Sequence, residues 1–255
     1  LKKWLINAWN TEYILSYNST ILENANGAAL QWTFPQAYYA VFASTLAFFQ
    51  VSGFTESSHS AVKHKFAKLA LKDTYPSSIN FTADGTKKNM AFYGLKPHDR
   101  EVSSIHFNHN NPKSCDRQIQ QFLKSTREID LDKRKKDNLN LRTKSGSIRK
   151  SYKEKHWKTV SSKVGPTGLL CLLYRKRIKS NYREIDTFTA SSLNPIPIFN
   201  ALTEIVKEIA QVNESYIAAA IGIDDYLKIS DKYLDNNGFE ILEQRIKNVK
   251  KVVNS

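Results

Sequence analysis

Apolar side chains recur at three- and four-residue steps along most of this chain, so its elements read mainly as helices. From about Glu12 to Leu30 the stripe is Tyr13, Ile14, Tyr17, Ile21, Leu22, Ala25, Ala28 and Ala29. Trp32-Thr33-Phe34-Pro35 interrupts it. Thr33 is placed to cap a second helix, with Pro35 in its first turn, where a missing N–H has no partner to lose. Residues 35–51 are apolar on nearly every side, which predicts the central helix of a bundle. Ser52-Gly53 stops it, and Thr55-Glu56-Ser57-Ser58 offers a cap to a third helix reaching about Leu71.

The pattern changes after residue 73. Ser78–Thr82 and Asn89–Tyr93 read as short strands around Asp84-Gly85 and predict a hairpin. A helix is expected over about 115–128, with Ile119, Phe122 and Leu123 on one face. Residues 131–163 are the least globular stretch and predict a solvated, partly irregular segment. Helical spacing returns at about Thr167 and continues to Phe188, and a further helix covers Ile196 to Ala220 before Gly222. A short helix at Asp224–Lys232 and a basic amphipathic one at Glu240–Val252 close the chain. The expected fold class is mostly α: a helical bundle from 12–72 plus 167–220, a basic insertion at 73–166 and a helical tail at 221–255.

Composition narrows the partner. With 41% hydrophobic and 11% aromatic residues the chain can bury a core, and nine Gly and seven Pro are few for an all-β protein. The formal charge of +14 predicts a polyanionic partner. Residues 131–163 hold nine Lys and three Arg against three acidic residues, a net of +9. There Lys133, Arg134, Lys135, Lys136, Arg149, Lys150 and Lys153 are candidate phosphate contacts. Tyr152 and Trp157 are candidates to stack on unpaired bases, or Trp157 packs inward instead.

Cys115 and Cys171 give no disulfide framework and suit a reducing, cytoplasmic setting. The first residues show no secretory pattern, and the lack of Met at position 1 reads as a start inside a longer protein. The run Ala37–Val51 is shorter than the ~20 residues of a membrane span, so no membrane partner is expected. His98, His106, His109 and Cys115 match no zinc spacing, and neither metal nor cofactor is expected.

Two segments carry a resemblance. Tyr38-Tyr39-Ala40-Val41-Phe42 before a Gly turn and Ser58-His59-Ser60-Ala61-Val62, together with Leu173-Tyr174-Arg175-Lys176-Arg177-Ile178-Lys179-Ser180-Asn181-Tyr182, resemble the HEPN superfamily. Those are helical bundles of toxin–antitoxin pairs and antiviral systems. The likeness covers about half the chain and leaves out the insertion and tail.

The resemblance implies a prokaryotic defence role, a homodimer through the bundle and, in members that cut RNA, metal-independent cleavage. In those members an Arg grips the scissile phosphate and a His four to six residues later moves the 2′-hydroxyl proton. Here the fifth residue after Arg177 is Tyr182, preceded by Asn181, so Arg177, Asn181 and Tyr182 are the candidate catalytic set. Arg175 and Lys179 are candidate nucleic-acid contacts beside them. The same residues can instead form a buried network with Tyr38 or Tyr39, and His59 a capping or structural group. A non-catalytic helical adaptor docking on a partner protein is the competing function.

Overall fold

The computed structural model describes residues 1–24, 29–95, 112–137, 141–183 and 194–254. Residues 25–28, His98, His106, His109 and the far end of the helix expected to reach Phe188 lie outside them. The protein is mostly helical, with one small antiparallel sheet among the described residues. It divides into two compact units, residues 1–62 with 173–255 and residues 63–172. The C-terminal helices thus belong with the bundle.

The first unit is built on α1 (Lys2–Asn24) and α2 (Leu30–Val51). Sixteen residues of α2 are buried, from Leu30 to Phe49, as its unbroken apolar pattern predicts. Both helices begin earlier than expected. Leu5 and Trp9 are fully buried, so the first turns of α1 join the core. Thr33 is not a cap: its hydroxyl donates back to the Ala29 carbonyl at 3.0 Å. Pro35 therefore sits inside α2, whose start is held by Asn18 of α1 donating to Thr33 Oγ1 at 3.3 Å.

α7 (Pro195–Ile221) packs on α2, where Asn213 donates to Ser44 Oγ at 3.1 Å and Phe48 stacks on Tyr216 at 5.1 Å. Asn194 caps it by accepting from Ile196 N at 3.2 Å, and Gly222 ends it at φ 89°. α8 (Ile223–Asn237) and α9 (Glu240–Val253) complete the unit. A buried ionic network ties them to α1. Arg245 of α9 donates to Glu12 and, at 2.9 Å, to Glu214 Oε1. Trp9 Nε1 reaches the same oxygen at 3.0 Å, and Tyr226 donates to Oε2 at 2.5 Å. Burial pushes the Glu214 carboxyl up, while Arg245, Tyr226 and Trp9 oppose that shift. Burial also works against the Arg245 charge, yet Glu12 and Glu214 outweigh it and hold the guanidinium above its usual range.

The second unit contains most of α3 (His59–Ala70), the strands β1 (Thr82–Gly85) and β2 (Met90–Tyr93), α4 (Pro112–Asp137), α5 (Glu154–Ser161) and β3 (Thr167–Gly168). The predicted hairpin forms, with its turn after Gly85 and β1 starting later than expected. β3 pairs with the other edge of β1, giving the order β2-β1-β3. The stretch 131–163 is partly irregular, as expected, with residues 142–153 in no helix or sheet strand, yet it is packed. α4 runs on to Asp137, and Leu131, Leu141, Val160 and Val164 form a core against which Tyr152 and Trp157 pack. That core is hard to read from periodicity because Leu131, Leu141 and the Val160–Val164 pair lie far apart in the sequence.

Arg127 is the pin of this unit and is fully buried. Its Nε donates to Gly85 O at 2.8 Å and its Nη1 to Gly165 O at 2.6 Å. Nη2 reaches Asp84 at 2.6 Å and Ser161 Oγ at 3.0 Å. One planar fork thereby joins α4, the hairpin, α5 and the approach to β3. Gly165, at φ 68°, lies against His64, whose Cβ and Cγ are 3.3 Å from where a side chain would begin.

Candidate functional site

α6 (Leu169–Ile178) ends in a π-helical turn, Lys179–Arg183, that packs on α2. Arg177 lies in its last turn, where the helix C-terminus favours a cation. Its guanidinium carbon stands 5.0 Å from the Tyr174 ring centroid, 5.2 Å from Tyr39 and 5.4 Å from Tyr38. One Nη1 bond goes to the Tyr39 hydroxyl, and Nε is buried without a hydrogen-bond partner. No carboxylate pairs with Arg177 among the described residues. The cage holds the charge by ring faces and one phenol, an arrangement that leaves guanidinium donors for an anion.

His59 enters the same cluster from the first residue of α3. Its Nδ1 lies 2.7 Å from the Tyr38 hydroxyl, and its ring is 4.6 Å from Phe42 and 5.5 Å from Tyr174. Ser58 Oγ accepts from Ala61 N at 3.2 Å and so caps α3, as the run Thr55-Glu56-Ser57-Ser58 offered, which leaves His59 to its contact with Tyr38. Arg177 and His59 therefore flank one pair of rings, Tyr38 and Tyr174. In the tautomer donating Nδ1–H to Tyr38, Nε2 carries the lone pair that a general base needs. Spacing gave no sign of this, because a third helix supplies the imidazole.

The other expected members fall differently. Asn181 sits in the π turn with Oδ1 buried and unpaired. Tyr182 is 72% exposed and makes no hydrogen bond or ring contact with Arg177. Arg175 and Lys179 are half-buried, and each is engaged in an interaction of its own.

In the second unit Lys133, Arg134, Lys136, Lys150 and Lys153 are exposed. Lys135 and Arg149 are half-buried: Lys135 lies 4.6 Å from the Tyr152 ring centroid, and Arg149 Nε donates to Leu141 O at 3.0 Å. Trp157 packs on the local core with Lys87 at 5.2 Å and Lys135 at 5.7 Å from its ring centroid, so a stacking base must displace an ammonium.

Charge separates the units completely. Residues 63–172 contain 24 Lys and Arg against ten Asp and Glu, a net of +14. Residues 1–62 and 173–255 together contain 14 of each and net to zero. Within the basic unit His64 is pushed down to about 4, first by burial and then by Lys63, Lys68, Arg127 and Arg134. No group of three His, Cys, Asp or Glu able to hold a metal gathers among the described residues. Nor is any described helix long and apolar enough to cross a membrane.

No family model matches the chain, and no curated protein or solved structure matches it either.

Proposed function

We propose that this is a HEPN-like RNA-binding protein whose second unit grips the phosphate backbone, and whose Arg177–His59 cluster acts on a phosphodiester without metal. The observation that carries it is the charge division: the whole excess of +14 belongs to a folded unit pinned by Arg127. Lysines on such a unit replace condensed counterions and bind polyanions in a strongly salt-dependent way.

The chemistry follows from the cluster. Arg177 holds the phosphate oxygens and His59 takes the proton of the 2′-hydroxyl. The O2′–P bond forms as P–O5′ breaks, and a solvent proton completes the departing 5′-hydroxyl. The resemblance adds a homodimer through the bundle and a place as effector or accessory subunit in a prokaryotic defence or toxin–antitoxin system.

Incubating the protein with end-labelled single-stranded RNA in chelator tests both parts. Binding with cleavage, lost in Arg177→Ala, supports the reading. A second reading, a non-catalytic adaptor, is favoured by Trp32 and Tyr216 standing 56% and 46% exposed on the neutral unit. RNA bound but never cut selects it.

A further inference from the structure

On the basic unit a cleft of about 480 Å³ opens beside the hairpin turn and the first turn of α5. Lys68 and Lys158 line it with Asp84, Asn89, Glu154 and Ser162. Arg127 holds two of its walls, through Gly85 O and Gly165 O.

Glu154 is the informative group. Its Oε1 accepts from Thr86 Oγ1 at 2.9 Å and from Asn89 Nδ2 at 3.2 Å. Both donors are neutral, and among the described residues no ammonium pairs with this carboxylate, although two lysines line the same cleft in a unit of net +14. Asp84 differs, since Arg127 and the Gly85 N–H at 2.7 Å already occupy its Oδ1. The cleft lining thus combines a carboxylate held by two neutral donors, an amide and two lysines that no described carboxylate pairs with. Carboxylate and amide oxygens next to ammonium groups are the complement of a nucleotide whose base carries an amino group.

We propose that this cleft is a nucleotide subsite for single-stranded RNA. Lys68 and Lys158 hold a phosphate, and Glu154 with Asn89 accepts from the exocyclic amine of guanine, cytosine or adenine. Uracil is disfavoured because it turns carbonyl oxygens toward the carboxylate. The inference rests on RNA binding by this unit and adds a base preference that phosphate contacts alone do not supply.

Fluorescence anisotropy on the full chain at low salt tests it, with a twelve-nucleotide oligouridine and the same oligomer carrying one central guanine, cytosine or inosine. The oligomers with guanine and cytosine should bind roughly tenfold more tightly than oligouridine. Inosine, which lacks the amine, should lose that advantage without any change to the protein. Glu154→Gln should bring the guanine and cytosine affinities down to the oligouridine level, and Lys68→Ala with Lys158→Ala should weaken every oligomer alike. Equal wild-type affinities for all four would overturn the base preference while leaving RNA binding intact. A guanine preference that survives in folded Glu154→Gln would overturn the cleft as its source. Failure to bind any oligomer would overturn both this inference and the reading beneath it.

Discussion

The Tyr38 hydroxyl sits 2.7 Å from Nδ1 of His59, and the face of the same tyrosine carries the Arg177 guanidinium at 5.4 Å. An imidazole and a guanidinium from the two sides of the inserted segment 63–172 thus share one aromatic wall. The proposed chemistry gives Arg177 the phosphate and His59 the proton, and leaves Tyr182, 72% exposed, out of both roles.

Three substitutions separate those roles. His59→Ala and Arg177→Ala should each lower the rate of RNA cleavage by at least a hundredfold, in keeping with single general-base or charge-stabilising groups. Tyr182→Phe should leave the rate within about twofold, because the exposed phenol touches neither group. Single-turnover cleavage measured alongside RNA affinity checks that the losses are in chemistry.

Arg245 makes a prediction about stability. Removing it as Arg245→Met leaves Glu12 and Glu214 buried without their cation. The expected cost is about 3–5 kcal/mol in urea unfolding. Tyr226→Phe deletes one bond to the Glu214 carboxylate and should cost about 1.5–3 kcal/mol.

His64 sets a pH dependence. Its folded value of about 4 lies below the unfolded 6.5, so the unfolded chain binds the proton first as pH falls. The stability held above pH 6.5 should decline between 6.5 and 4 and then level. His64→Gln should remove this part of the decline, seen as the difference between the two melting curves across that window.

Neutralising Lys133, Arg134, Lys136, Lys150 and Lys153 to Gln should flatten the dependence of RNA affinity on salt. The slope of log K against log salt should fall by about 0.7 for each phosphate that the variant no longer neutralises. Replacing Lys247, Lys250 and Lys251 of the neutral unit should leave the slope where it was.

Much of the architecture was legible because burial follows periodicity. The continuous apolar run of α2 marked the bundle's centre, and Gly222 marked the end of α7 at a positive φ. Pro35 misled because its packed surroundings outweigh one lost hydrogen bond near a helix start. The packing within 131–163 was not legible because Leu131, Leu141 and the Val160–Val164 pair are far apart in sequence, and because Arg127 looks like any helix cation until its bonds are traced. For the site, Arg177 and its tyrosines could be picked from their run, whereas His59, read as a capping or structural group, could not be tied to them: no local spacing relates a residue opening α3 to one closing α6. The cleft around Glu154 was equally hidden, since it joins a hairpin turn to a helix start.

The most direct measurement is the fate of a uniformly labelled single-stranded RNA mixed with the full chain in excess chelator, followed in parallel with His59→Ala and Arg177→Ala. The wild type should yield fragments ending in 2′,3′-cyclic phosphate and 5′-hydroxyl, and both variants should bind the RNA yet leave it whole. Intact RNA with the wild type, or unchanged fragments with either variant, would contradict the assignment of this cluster to phosphodiester chemistry.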